Sequence, residues 1–194
     1  MANLIGKGTK IIGVDQLVLF LKPTSSYLAN GGTIEIPTSM EHLWYKAKLA
    51  IVISKKARDV SESEALDYVA VYALGPDMTA KELQAIIKAT GLPWILAKGL
   101  DTFTLISEMI SKDAVPDPHN LELWLMVELK QKGLTSDMIF KFPYLISHIS
   151  TFMTLIEGDV ILVGTPEGIR PVKTGQKITA SITSLIHVHF DAKK

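Results

Sequence analysis

The sequence has no cysteine, which excludes a disulfide framework and a thiolate metal site and suits a reducing compartment. No apolar run is long enough to span a bilayer. Neither charge is in excess: 20 Lys and Arg stand against 20 Asp and Glu, so nothing calls for nucleic acid or an anionic membrane as partner. The opening residues, MANLIGKGTKII, lack a secretory apolar core and are too poor in arginine for an organelle transit peptide. The expectation is an intracellular protein, cytoplasmic or mitochondrial, without a clear targeting signal. Phosphate-cradling loops are missing as well. Gly6-Lys7-Gly8 has neither the third glycine nor the helix of a dinucleotide site, and no Gly-x-Ser-x-Gly elbow supports a serine hydrolase. His187 and His189 alternate on a strand with no third ligand nearby and read as surface residues.

What is present is a chain of 194 residues, 47% hydrophobic and 21% charged, enough for one domain over 1–194 with a real core. Short apolar runs at 10–14 and 17–21 read as two strands with a tight junction, and 33–36 as an edge strand before Pro37. Residues 46–53 read as a strand entering the core, 68–74 as another, and 121–127 as a strand paired with 128–133. Residues 94–98 read as a strand delivering Lys98 to a glycine. Residues 159–163 form a strand leading into the Gly164-Thr165-Pro166 loop, and 176–190 give closing strands. Ser61 with Glu64 forms a capping box for a short helix. The clearest amphipathic helix covers 79–90, with Thr79 as N-cap, Glu82 at N3 and Gly91 as terminator. A last helix covers 144–153, with Pro143 at its first position. His148 lies on its apolar face and reads as a core residue, while His42 and His119 read as loop residues. The fold class is α+β and β-rich, with a few short helices around one core.

One stretch organises the chemistry. In a strand, alternate side chains share a face, so Lys46 and Lys48 point the same way, roughly 7 Å apart. The 164–168 loop has backbone N–H groups that could form an anion nest.

Taken together, the segments VLFLKPTSSYLANGGTIEIP, DMTAKELQ, GLPW.LAKG.DTF, NLELWL, QKGLTSDMIF and LIEGDVIL.GTPEGI resemble the fumarylacetoacetate hydrolase family. The likeness is to its acylpyruvase/oxaloacetate decarboxylase branch, the plant versions above all, and it runs over the whole chain in the family's order. The resemblance implies a mixed β-sandwich roll and a homodimer. It also implies Mg²⁺ or Mn²⁺ held by three carboxylates and polarising a small oxo-acid. Asp77, Gln84, Lys98, Gly164 and Thr165 stand where the family's site residues stand, and Lys81 replaces the usual arginine.

The departures are sharper than the likeness. The family's His-His-Glu-x-Glu strand reads Trp44-Tyr45-Lys46-Ala47-Lys48 here, so both of its metal carboxylates have become lysines. The early lid helix with its His and Glu is missing, and the hairpin turn at 127–131 is about two residues short. Ammonium groups have no lone pair to donate and repel a cation. Asp77 is therefore expected to be a vestigial metal ligand, and no cofactor is expected. Three readings follow from this. The chain is a catalytically impaired or neofunctionalised paralogue, its pocket filled by Trp44 and Tyr45. Alternatively it is a metal-independent enzyme on oxo-acids or dicarboxylates, using Lys46, Lys48 and Lys98 as catalytic groups in an open, electropositive cavity. Or residual acylpyruvase activity persists.

Overall fold

The computed structural model describes residues 3–11 and 14–194, with side chains from Leu17 onward. In chain order the first strands are β1 (Asn3–Ile11), β2 (Val14–Lys22), β3 (Tyr27–Ala29), β4 (Thr33–Glu35), β5 (His42–Tyr45), β6 (Leu49–Ile53) and β7 (Val69–Leu74). Helices α1 (Lys81–Thr90) and α2 (Ile95–Lys98) follow, then β8 (Thr104–Ile106), β9 (Ile110–Ser111), β10 (Glu122–Met126) and β11 (Lys130–Leu134). Helix α3 (Phe142–Phe152) precedes β12 (Val160–Leu162), β13 (Arg170–Lys173), β14 (Lys177–Ile182) and β15 (Ile186–Lys193).

A six-stranded sheet runs in the order β2-β1-β12-β6-β7-β9, and a five-stranded sheet in the order β11-β10-β14-β15-β4. β13 pairs with β5 and β3 with β8. Alternation directs Leu49, Ile51 and Ile53 of β6 into the same buried cluster as Leu123, Leu125, Ile178, Ile182, Val188 and Phe190 of the second sheet. Helix α3 closes the cluster with Phe142, Leu145, Ile146 and Ile149. This is the β-rich sandwich roll expected from the sequence.

Several expected elements differ. The strand read at 46–53 begins only at Leu49, because 46–48 is a link between β5 and β6. The strand read at 94–98 is the helical turn α2: Gly99 N–H reaches back to Ile95 O at 2.7 Å, a bond that a strand does not make. Helix α1 starts two residues later than read, with Ala80 as N-cap and no side-chain cap. Ser61 and Glu64 bond to each other at 2.6 Å, and the turn that follows is a 3-10 helix, Ala65–Tyr68. In α3, Pro143 stands one position inside Phe142, and His148 is half-buried between the rings of Tyr144 and Phe152 rather than in the core. His42 opens β5 instead of lying in a loop. The first two strands form a long hairpin, and the 12–13 junction lies outside the described residues.

Candidate functional site: a closed lysine–aspartate cluster

Residues 75–79 run extended between two neighbours. On one edge Asp77 N–H donates to Lys46 O at 2.9 Å, Gly75 N–H donates to Lys48 O at 2.8 Å, and Trp44 and Thr79 exchange a pair of bonds at 2.9 Å. On the other edge Met78 N–H donates to Phe103 O at 2.9 Å and Leu105 N–H to Pro76 O at 3.0 Å. With both edges paired and neighbouring elements packed over its faces, the segment is buried throughout, and Asp77 and Thr79 are 0% exposed.

Four lysines converge on these two residues. Lys22 Nζ donates to Asp77 Oδ1 at 2.8 Å, Phe103 O at 2.6 Å and Met78 O at 3.3 Å. Lys98 Nζ donates to Asp77 Oδ2 at 2.5 Å and Thr79 Oγ1 at 2.7 Å. Lys46 Nζ donates to the same Thr79 hydroxyl at 2.6 Å, and Lys48 Nζ lies 3.6 Å from Asp77 Oδ2. The Phe20 ring covers the group, its centroid 4.6 Å from Lys98 Nζ and 5.8 Å from Lys48 Nζ. All four lysines are at most 2% exposed. Gly99 lets two of them meet, because a Cβ there would lie 2.7 Å from Pro23 Cδ and 3.1 Å from Ile95 O. Only glycine allows Lys22-Pro23 and Lys98 to approach this closely.

Burial pushes the Asp77 carboxyl up, but the ammonium groups of Lys22, Lys98, Lys48 and Lys46 outweigh it and hold the group well below the usual carboxylate range. The lysines move the other way. Burial lowers Lys22 from 10.5 to about 8; attraction to Asp77 opposes this and repulsion by Lys98 adds to it. Lys98 is lowered for the same first reason, with Asp77 again opposing. The asymmetry is physical: one carboxylate sees several cations, while each cation shares one carboxylate.

The other sequence candidates lie elsewhere. Lys81 is exposed, its Nζ 3.8 Å from the Trp44 ring centroid. Gln84 sits on the buried face of α1. Gln131 bridges the 46–48 link to the 164–168 loop: its Oε1 accepts from Ala47 N–H at 3.0 Å, and its Nε2 donates to Thr165 Oγ1 at 3.0 Å and Pro166 O at 2.7 Å. Gly164 and Thr165 line a cavity of about 490 Å³, together with Lys132, Thr135, Met138 and Phe140. None of the four buried lysines lines it.

Two expectations about the pocket therefore need correction. The lysines do not face an open, electropositive cavity, because packing closes over them. Nor do Trp44 and Tyr45 fill the site. Tyr45 is in the core with its hydroxyl on Leu129 O at 3.4 Å, and Trp44 donates to Glu82 at 3.4 Å. The lysine stems and Phe20 fill it instead. Sequence reasoning missed Lys22, Phe20 and the diversion of Thr79 from capping to the cluster. A signal was available for the first two, since alternation puts Phe20 and Lys22 on one face of β2 and Leu21 on the other. Lys22 is 1% exposed and Leu21 47%.

The divalent ion implied by the family resemblance does not fit these residues. Both Asp77 oxygens already accept from an ammonium group. The described residues include no group of three His, Cys, Asp or Glu able to hold a metal ion.

The comparisons agree with the fold. The family described as Fumarylacetoacetate (FAA) hydrolase C-terminal matches residues 9–190. The chain is 65% identical over 179 residues to the Arabidopsis thaliana protein "Oxaloacetate tautomerase FAHD1, mitochondrial", covering 91% of this chain and 80% of that one. It is 57% identical over 207 residues to the "Oxaloacetate tautomerase FAHD2, mitochondrial" of the same plant, covering 97% and 92%. The crystal structure of yeast ynq8, a fumarylacetoacetate hydrolase family protein, superposes with a TM-score of 0.89 at 28% identity, covering 100% of this chain and 93% of that one. The chain belongs to the fumarylacetoacetate hydrolase family.

Proposed function

We propose that this chain is a catalytically impaired paralogue of the oxaloacetate-handling enzymes it resembles, retaining their fold without their metal-dependent chemistry. The observation that carries the reading is the closed cluster: Asp77 has both oxygens bound to ammonium groups at 2.8 and 2.5 Å, and neither the carboxylate nor the lysines reach solvent. A cation in this place would face like charge from Lys46 and Lys48 instead of donor oxygens. The alignment to the FAHD2 relative leaves room for an absent segment of about a helix's length. It spans 207 positions, whereas 97% of 194 residues is 188, which leaves about 19 to the relative alone. The names of both plant relatives include "mitochondrial", which supports a mitochondrial location for this chain.

A second reading, metal-free chemistry on an oxo-acid by a neutral lysine, is favoured by the lowered Lys22 and Lys98. Closure of the cluster weighs against it.

The deciding experiment assays oxaloacetate tautomerisation, oxaloacetate decarboxylation and acetylpyruvate cleavage, each with Mg²⁺, with Mn²⁺ and with EDTA. Lys46→Glu/Lys48→Glu serves as comparator. The expected result is no turnover above buffer under any condition in the unaltered protein. Metal-stimulated turnover would overturn the reading in favour of retained family activity, and turnover in EDTA would establish the lysine mechanism.

A further inference from the structure

The mismatch between the family's ion and these residues has a definite form. A bound cation in a buried site draws together carboxylates from separate stretches of chain. Here the direction is reversed, and one carboxylate draws together cations from separate stretches. Lys22 comes from the end of β2, Lys46 and Lys48 from the β5–β6 link, and Lys98 from the end of α2. Asp77 receives Lys22 and Lys98 directly, Thr79 Oγ1 receives Lys46 and Lys98, and Lys22 adds bonds to Phe103 O and Met78 O. The ammonium hydrogens thus tie β2, α2, the β5–β6 link and the segments around Asp77 and Phe103 into one buried unit.

We propose that this cluster is a metal-free cross-link, in which the lysine ammonium groups act at neutral pH as the built-in counter-ion of Asp77 and leave the fold independent of any divalent cation. The inference rests on family membership and on the geometry, and it does not require the protein to be catalytically silent.

The test is thermal unfolding of the full chain, with manganese binding followed by electron paramagnetic resonance. For the unaltered protein, EDTA and millimolar Mn²⁺ should give the same Tm within a degree, and no bound Mn²⁺ signal should appear. An ion bound at about 100 times its Kd would raise Tm by roughly 5–10 °C, and a shift of that size would overturn the proposal. Asp77→Asn keeps the shape but leaves the ammonium groups without their anion, so its Tm should fall by roughly 6–20 °C, with no rescue by Mn²⁺. The triple variant Asp77→Asn/Lys22→Met/Lys98→Met removes the two stranded cations as well and should melt above the single variant. If Asp77→Asn does not fold, recovery of folded protein in the triple variant supports the cross-link. A triple variant that is worse than the single, or equally unfolded, refutes it. Turnover plays no part in these readouts. A silent enzyme with a manganese-dependent Tm would sink the cross-link alone, and an active one with an unmoved Tm would sink only the impaired-paralogue reading.

Discussion

Raising the pH from about 7.5 to about 9.5 should stabilise this protein, against the usual trend, and Lys22 is the reason. Burial lowers its pKa from 10.5 to about 8, more than Asp77 restores. Between these two values the unfolded chain binds more protons than the folded one, so stability rises with pH. The cost of keeping Lys22 charged is fully present below about 8 and has vanished by 10.5. One pKa unit corresponds to about 1.4 kcal/mol, so the 1.5 units from pH 8 to 9.5 are worth roughly 2 kcal/mol. For a domain of this size that is a Tm gain of roughly 4–8 °C. Lys98 is shifted in the same direction and adds to it. Asp77, held well below its ordinary range, stays ionised throughout this window. Its stabilising contribution is lost only as pH falls through its own low pKa. Tyr45 and Tyr72 bound the window from above: burial raises both phenols, so they begin to destabilise the fold once the unfolded tyrosines ionise near pH 10. The assay is thermal unfolding by circular dichroism at matched ionic strength, at pH 7.5, 8.5 and 9.5, for the unaltered protein and for Lys22→Met. The rise should be present in the first and reduced in the second. A flat or falling Tm in the unaltered protein, or the same slope in both, refutes the reasoning.

Three further outcomes are expected. Gln131→Leu removes a buried amide that serves Ala47, Thr165 and Pro166 together, and should cost roughly 1–3 kcal/mol in urea unfolding; an unchanged midpoint would show that the bridge carries nothing. Borohydride treatment with pyruvate should leave Lys22, Lys46, Lys48 and Lys98 unmodified in peptide mass maps, because none reaches solvent; an adduct on any of them would show that the cluster opens. The chain should form a C₂ homodimer, since Phe140 and helix α3 together present a half-buried stack of Phe140, Tyr144 and His148 ending in the exposed Phe152. A light-scattering mass near 21.3 kDa at all micromolar concentrations would rule that out.

Much of the fold was legible because its signals are local. Short continuous apolar runs marked β6, β7, β10 and β12, and the spacing of apolar residues marked α1 and α3. The errors came where a local signal met a tertiary competitor. Thr79 has the residue type and spacing of an N-cap, yet its hydroxyl is taken by Lys46 and Lys98, and α1 starts at Lys81 without a side-chain cap. Glu82, read as the other half of that start signal, instead accepts from Trp44 and pairs with His42. Lys98 was placed beside a glycine as read, but on a helical turn, because the five residues between Pro93 and Gly99 carry no period that separates strand from helix. What no pattern in the chain announces is closure. A buried lysine is rare, so Lys46, Lys48 and Lys98 read as groups lining an open cavity and Lys22 as the end of a strand, until their shared carboxylate is seen.

The same backbone explains how the site could diverge without the fold failing. The 44–48 and 75–79 segments are joined by main-chain bonds at Trp44, Lys46, Lys48, Gly75, Asp77 and Thr79, and 75–79 is joined to 103–105 through Met78, Phe103, Pro76 and Leu105. None of these bonds depends on which side chain stands at 46 or 48. The ladder fixes where both side chains point and leaves their chemistry open. A lysine at either position can then reach inward to an oxygen acceptor, Thr79 Oγ1 for Lys46 and Asp77 Oδ2 for Lys48, its stem packing as apolar filling. The charge reversal at two positions that the family resemblance implies would thus change what the site can bind while the elements around it keep their register.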